Sequence, residues 1–292
     1  MRTSRKNLLA AVSGYLLALL FLLFVAAPLQ LRYGMLGLLW TELGLLALAL
    51  LGTAVFRSPW RQVFNFHRPT WKGVAGTLLL WMGAYALVML VSMFTMLLVP
   101  QQLTDVSTAI TDLFSQVPFV LRFLLVAVTP AFCEEMLFRG YLLHHMQPMP
   151  AWGRILLCGG LFGLFHLDPV RFLPTAILGI FLTWGALRSG NLLYAMLFHL
   201  FNNSLSALAT LVPASADTAA LEAAETAGTV MTLPALGAYF FLAAASPWLV
   251  WAGLSLLRPK DAPAPDRARS AMLCLVLCAA CIAVGWLLMR MG

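Results

Sequence analysis

Residues 8–28 read LLAAVSGYLLALLFLLFVAAP, a stretch without a charged side chain. A helix needs roughly 20 mostly apolar residues to cross the hydrocarbon core of a bilayer. This stretch therefore predicts a transmembrane helix. The short basic segment MRTSRKN in front of it, followed by an apolar run longer than a usual signal core, is typical of an uncleaved signal anchor.

The whole chain has the composition of a membrane protein. Of its 292 residues, 62% are hydrophobic and 10% are charged, and the mean hydropathy is +0.90. A soluble domain is usually about 45–50% apolar and about 25% charged. The chain has too few polar side chains to cover itself in water, which excludes a soluble enzyme, an intrinsically disordered protein and a disulfide-stabilised scaffold.

More apolar runs follow the first one. The fold class expected from them is all-α, a polytopic transmembrane helical bundle of about eight to nine spans, with eight if a short span is re-entrant. The candidate spans are residues 8–28, 35–55, 74–99, 118–138, 153–167, 172–187, 191–211, 232–256 and 271–289.

The charges between these runs predict the orientation of the chain. The net charge is +7, but the Lys and Arg residues sit mostly in short segments between the apolar runs, so we expect no nucleic-acid partner. The basic segment RPKDAPAPDRAR (258–269) is expected on the cytoplasmic side, and the acidic segment PASADTAALEAAETAG (213–228) on the other side. The N-terminus is then cytoplasmic.

Ionisable residues within apolar spans are expensive and are usually functional. The first group lies in CEEMLFRG, residues 133–140. On a helix, Glu135 and Arg139 are four positions apart and share a face, in the favourable order for an ion pair. Glu134 points about 100° away from Glu135, so we expect the two carboxyl groups to have different surroundings. Taken alone, the pattern also fits a structural ion pair.

The second group lies in LFGLFHLD, residues 161–168, where Phe162 and His166 share a helix face. Just before it, Gly159 and Gly163 form a small-xxx-small pattern that lets a neighbouring helix come close. His166 could then meet polar residues on that neighbour, or could bind a backbone carbonyl in a structural role.

The third group lies in LFHLFNNS, residues 197–204, where His199 and Asn203 are four positions apart. A histidine beside an asparagine, which donates hydrogen bonds without carrying a charge, suits the stabilisation of an oxyanion. Polar contacts between helices are the alternative. Asn202 is expected to point elsewhere and to be structural, and Glu42 in the second span receives no role.

Together the three groups are more specific than any one of them. We expect Glu134, His166, His199 and Asn203 to converge in a polar intramembrane cavity that opens towards the cytoplasm. Such a cavity can hold water and activate it through a carboxylate or through a metal.

Glu134-Glu135-x-x-x-Arg139, Phe162-x-x-x-His166 and His199-x-x-x-Asn203 resemble, in order, the motifs of the CPBP family. These are the CAAX-protease and bacteriocin-processing membrane endopeptidases, also called the Abi family. The resemblance covers residues from about 118 to 211. It implies a single integral membrane domain, residues 1–292. Within this domain we expect peripheral N-terminal spans at 1–117, a catalytic core at 118–211 and C-terminal spans at 212–292.

The resemblance also implies roles for the polar residues. Glu134 and His166 would activate the attacking water, and His199 with Asn203 would stabilise the tetrahedral intermediate. Glu135 and Arg139 would support the site. The family is commonly labelled as metalloendopeptidases, and Glu134, His166 and His199 would make an acceptable set of zinc ligands. A metal-free mechanism that depends on glutamate is the alternative, and we favour it slightly because Asn203 is a poor zinc ligand and a good oxyanion donor.

The function implied is that of an intramembrane endopeptidase in the bacterial inner membrane. It would hydrolyse a peptide bond in a membrane-associated protein or peptide, with the lipid bilayer as its surroundings. A non-catalytic immunity or scaffold protein of the same fold is the main alternative. A proton-coupled transporter using Glu42 and Glu134 is a third possibility, although the internal repeat common in transporters is absent from the sequence.

Overall fold

A computed structural model describes residues 2–99, 117–209, 232–259 and 266–291, and within these ranges the chain forms helices and no strand. The acidic segment 213–228 lies outside the described residues, as do residues 260–265 of the basic segment. The helices, in chain order, are α1 (Arg2–Phe21, continued by a π-helical segment Leu22–Ala26 and by Ala27–Tyr33), α2 (Met35–Val55), α3 (Trp60–Val63), α4 (Trp71–Leu98), α5 (Phe119–Phe123, π-helical Leu124–Val128, Thr129–Glu135, π-helical Met136–Leu142 and Leu143–His145), α6 (Ala151–Phe165), α7 (Phe172–Ser189), α8 (Leu192–Ala209), α9 (Leu233–Ala243), α10 (Ser246–Leu256) and α11 (Arg267–Met289).

Six helical segments in the described ranges are long and apolar enough to cross a membrane. These segments are Arg5–Tyr33, Met35–Val55, Trp71–Leu98, Phe172–Ser189, Leu233–Leu256 and Arg267–Met289. The chain is therefore a multi-pass membrane protein. The expected count of eight to nine spans is not confirmed, because α6 and α8 are short and α5 carries several charged residues.

The three helices that fall short are the ones that carry the polar motifs, and the bundle places them centrally. Helix α5 packs against α2 on one side and α8 on the other, and α6 packs along α7. Helix α4 contacts α7, α8, α9 and α10, while α11 packs on α9. Large apolar side chains remain exposed around the outside of the bundle, where lipid would cover them.

Glycines bring α6 and α7 into close contact. A Cβ atom added to Gly159 would lie 2.6 Å from the backbone nitrogen of Ile180, and one added to Gly163 would lie 2.8 Å from the carbonyl oxygen of Phe172. Real side chains do not fit at such distances. The small-xxx-small pattern in the sequence was therefore a correct indication of a close helix pair.

Helix α5 is longer and less regular than the sequence indicated. It continues to His145, past the expected end at residue 138, and two of its segments are π-helical. A short turn at residues 146–150 then leads into α6. Measured from this turn, Glu134 on α5 and His166 after α6 lie at roughly comparable heights, about 16 and 22 Å by helical rise. The two motifs can therefore meet although straight spans would have placed them at different depths.

Candidate active site

Glu135 is the centre of a buried polar cluster. Its Oε1 atom accepts hydrogen bonds from Arg139 Nη1 at 2.8 Å and from His199 Nδ1 at 2.9 Å. The side chains of Glu135 and Arg139 are completely buried. The ion pair expected from the i, i+4 spacing is thus present, and it has a partner on α8 that spacing alone could not identify.

Arg139 connects this cluster to two further helices. Its Nη2 atom donates to the carbonyl oxygen of Gly179 on α7 at 3.0 Å. Its guanidinium carbon lies 4.4 Å from the centre of the Phe162 ring on α6. A planar guanidinium can hydrogen-bond a carboxylate and a carbonyl while it stacks on an aromatic ring. The ammonium group of lysine cannot make this combination of contacts.

His199 is held in one orientation. A carboxylate oxygen can only accept, so Nδ1 of His199 carries the hydrogen that it donates to Glu135. Its other ring nitrogen, Nε2, is a lone-pair acceptor in the neutral ring and a donor in the imidazolium form. The ring packs edge-to-face on Phe162, with centroids 5.8 Å apart. Glu135 and Phe162 thus fix the orientation of the His199 ring.

His166 lies at the C-terminal end of α6 and is half-buried. Its Nδ1 atom lies 2.9 Å from the carbonyl oxygen of Phe162, so Nδ1 donates and Nε2 is left with the lone pair in the neutral ring. The next residue, Leu167, has a φ of 53°. A leucine rarely adopts this left-handed conformation, and such strain is concentrated at functional sites.

Glu134 faces away from Glu135, as the helical period predicted. It is 9% exposed, and its Oε2 atom has no hydrogen-bond partner among the described residues. Glu134 interacts electrostatically with His166 and with Glu42 on α2. The two adjacent glutamates therefore have separate surroundings: Glu135 pairs with a cation, and Glu134 interacts electrostatically with a histidine and a second carboxyl group.

Glu42 was missed as a member of this cluster. It is 2% exposed, and its Oε2 atom also lacks a hydrogen-bond partner in the described ranges. An acidic residue within an apolar span was the available signal, but no sequence spacing connects α2 to α5. The contact between these two helices places Glu42 beside Glu134.

Asn203 lies one turn after His199 on α8 and bridges to α5. Its Nδ2 atom donates to the carbonyl oxygen of Val126 at 3.0 Å, and its Oδ1 atom accepts from Asn202 Nδ2 at 3.2 Å. Val126 belongs to the first π-helical segment of α5. One of the two N–H groups of the amide is thus engaged with the backbone. Asn202, expected to point elsewhere, instead fixes the orientation of Asn203.

Residues 116–205 match a family model described as Type II CAAX prenyl endopeptidase Rce1-like. This is the CPBP family. The match contains all seven residues of the three motifs and agrees with the range of about 118 to 211 over which the sequence resembles that family. No curated protein and no solved structure gives a significant match to the chain. The family match supports a CAAX-type intramembrane protease.

Within residues 2–99, 117–209, 232–259 and 266–291, no group of three or more His, Cys, Asp or Glu side chains is already arranged to hold a metal ion. Glu134, His166 and His199 are all among these residues. Glu135 engages Nδ1 of His199 and leaves Nε2 free, as a carboxylate does when it orients a metal-binding histidine. The zinc set that the sequence allowed therefore stays a prediction.

A pocket of about 450 Å³ opens next to His166, and it is lined by Gly163, Leu164, Leu167, Asp168, Pro169 and Phe172. The lining is mostly apolar. Glu134, His166, His199 and Asn203 do not line it, so the polar cavity expected from the sequence is not confirmed.

Proposed function

We propose that this chain is an intramembrane endopeptidase that hydrolyses a peptide bond in a membrane-associated protein or peptide. The observation that carries the proposal is the cluster formed by Glu134, Glu135, Arg139, His166 and His199 inside the segment that matches the CPBP family. Three helices, α5, α6 and α8, contribute these charged and polar side chains among otherwise apolar spans. Such a cluster is costly to bury and is retained where function needs it.

Water activation is assigned to Glu134 and His166. Glu134 has an unpaired carboxylate oxygen, and the free Nε2 of His166 can accept a hydrogen bond from the same water. The carboxylate takes a proton from water as the water oxygen bonds to the scissile carbonyl carbon. This general-base step contributes typically about 10²–10⁴ in rate.

Stabilisation of the tetrahedral intermediate is assigned to His199 and Asn203. In the imidazolium form, Nε2 of His199 donates to the oxyanion while Nδ1 remains bonded to Glu135. Asn203 offers the N–H that Val126 does not take. The intermediate collapses as the carbon–nitrogen bond breaks, and Glu134 returns its proton to the leaving amine. The products are a new carboxylate and a new amine.

Glu42 takes no step in the reaction, although its carboxyl group interacts electrostatically with that of Glu134. Glu135 and Arg139 position His199 and do not touch the substrate.

The remaining features of the proposal concern topology. The chain crosses the bacterial inner membrane eight or nine times with its N-terminus in the cytoplasm, in line with the distribution of Lys and Arg between the spans. The catalytic core occupies residues 118–211, and the spans before and after it enclose that core.

A comparison of membrane-protein fragments in cells tests the proposal. New N-termini are quantified in the membrane fraction of cells that produce the wild-type chain, Glu134→Gln or the remote control Asp266→Asn, at matched expression. We expect a set of peptides present in the wild type and the control but absent in Glu134→Gln. Identical peptide sets in all three strains would overturn the proposal.

A further inference from the structure

A second pocket, of about 140 Å³, lies at the other end of the polar cluster from His166. It forms where the ends of α5 and α7, the start of α6 and the segment before α4 meet. Its polar lining consists of Gln62, Asn65, Arg139, His144, Arg154 and Asn191, together with Gln147. No Asp or Glu side chain belongs to this lining, so the pocket is a cationic site without an acidic partner of its own.

Arg154 carries an uncompensated charge in this pocket. It is half-buried in the first turn of α6, and its Nε atom is buried without a hydrogen-bond partner among the described residues. Burying a charge is costly unless it is paired and hydrogen-bonded. The guanidinium is therefore placed to receive an anion from outside the chain.

Arg139 lies between this pocket and the polar cluster. It is 5% exposed, and its Nη1 and Nη2 atoms bind Glu135 and the carbonyl oxygen of Gly179. Its Nε atom has no partner in the described part of the chain. Because this side chain is completely buried, Arg139 adds positive charge beneath the pocket and makes no direct contact with an anion there.

The rim of the pocket is held in place by long-range hydrogen bonds. The backbone nitrogen of Leu192 donates to the carbonyl oxygen of Asn65 at 2.9 Å. The amide of Asn191 donates to the carbonyl oxygen of His67 at 3.0 Å, and the backbone nitrogen of Thr70 donates to the hydroxyl of Tyr194 at 2.9 Å. These bonds fix the segment before α4 onto the start of α8, so the pocket is preformed.

We propose that this pocket binds a phosphate group, either in the headgroup of an anionic phospholipid or as free phosphate. Guanidinium groups bind phosphate oxygens through paired N–H donors, and the half-buried Arg154 presents such a group to the pocket. Basic pockets between the ends of transmembrane helices on the cytoplasmic side are suited to lipid headgroups. The exposed aromatic residues Trp60 and Trp71 near the rim are of the type that sits at a membrane surface.

The test uses the purified full chain without any substrate, so its outcome does not depend on protease activity. Inorganic phosphate is titrated in detergent, with sodium chloride at equal ionic strength as the reference. In parallel, the thermal midpoint is compared in nanodiscs of phosphatidylcholine alone and of phosphatidylcholine with phosphatidylglycerol. We expect saturable stabilisation in at least one arm. An effect in the first arm identifies free phosphate as a ligand, and an effect only in the second identifies the headgroup.

The matched variants are Arg154→Gln and Arg61→Gln. Arg61 is exposed on α3 next to Gln62 but does not line the pocket, so both variants remove one positive charge from the same region. We expect Arg154→Gln to weaken binding about tenfold, the effect of one charge-assisted hydrogen bond, and Arg61→Gln to leave it unchanged. Arg154→Lys keeps the charge but lacks the paired N–H donors of the guanidinium, so its affinity should lie between those of Arg154→Gln and Arg61→Gln. No saturable binding by the wild type, or equal binding by Arg154→Gln and Arg61→Gln, would overturn the proposal.

Discussion

Glu135 on α5 and His199 on α8 are 64 positions apart in sequence and are joined by a hydrogen bond of 2.9 Å. Because Nδ1 of His199 is committed to Glu135, Nε2 is the nitrogen that can meet a substrate or water. The same carboxylate oxygen also holds Arg139 at 2.8 Å. One buried glutamate therefore determines the orientation of a histidine and compensates the charge of an arginine.

The first prediction concerns Glu135→Gln. The substitution keeps the size of the side chain but leaves Arg139 as an uncompensated buried charge, which costs about 3–5 kcal/mol when one partner of such a pair is removed. We expect a clear loss of folded protein in an unfolding titration in detergent. Glu134→Gln should unfold like the wild type, because Glu134 has no cationic partner of this kind. Equal destabilisation by the two variants would contradict this division.

A second prediction concerns Glu42→Gln. Its carboxyl group is buried beside that of Glu134, and its Oε2 atom has no partner within the described ranges. An amide has nearly the shape of the carboxyl group and is less costly to bury without a partner, so the free energy of unfolding should rise or change by less than about 1 kcal/mol. The unfolding titration used for Glu135→Gln measures it. A loss as large as that of Glu135→Gln would mean that Glu42 is held as a carboxylate by a cation.

The third prediction compares two neighbouring glycines on α6. A Cβ atom at Gly159 would lie 2.6 Å from the backbone nitrogen of Ile180, whereas one at Gly160 would meet nothing within 4 Å. We expect Gly159→Ala to destabilise the chain by about 1–3 kcal/mol through overpacking. Gly160→Ala should be neutral or stabilising by up to about 1 kcal/mol, since alanine is the better helix former. Similar midpoints for the two variants in thermal unfolding would refute the close contact of α6 with α7.

The local features of the site could be predicted from sequence, and the long-range ones could not. The i, i+4 spacing correctly indicated the Glu135–Arg139 pair, and the helical period correctly separated Glu134 from Glu135, because both depend on helix geometry alone. The bond from His199 to Glu135 and the contact of Glu42 with Glu134 depend on how α2, α5 and α8 pack, which no spacing specifies.

The irregular parts of the helices were also outside the reach of sequence patterns. The π-helical segments of α5 occur in apolar runs that look like ordinary helix. Helices α6 and α8 are short, and α5 carries charged residues that lower its hydropathy. The expected number of spans was therefore not confirmed. The polar residues of α5, α6 and α8 thus made the candidate site recognisable in the sequence, and they also made the number of spans harder to predict.

A fourth prediction concerns orientation. In a variant without its five native cysteines, one cysteine is introduced in residues 213–228 or in 258–269. An impermeant thiol reagent applied to intact cells should label the first position and should label the second only after lysis, because positive loops stay in the cytoplasm. Labelling in the reverse order would place the N-terminus outside the cytoplasm.

The carboxylate of Glu134 is expected to act directly on water. The rate of single-turnover cleavage by the purified protein measures this step. A substrate found by the cellular comparison is incubated with wild-type chain and with Glu134→Gln, each before and after dialysis against a chelator. We predict a loss of about 10²–10⁴ in rate for Glu134→Gln, with an unchanged unfolding midpoint, and a wild-type rate that the chelator does not alter. Full activity in Glu134→Gln would show that Glu134 is not the general base. Wild-type activity that disappears with the chelator and returns with one equivalent of zinc would show that a metal, and not the carboxylate alone, activates the water.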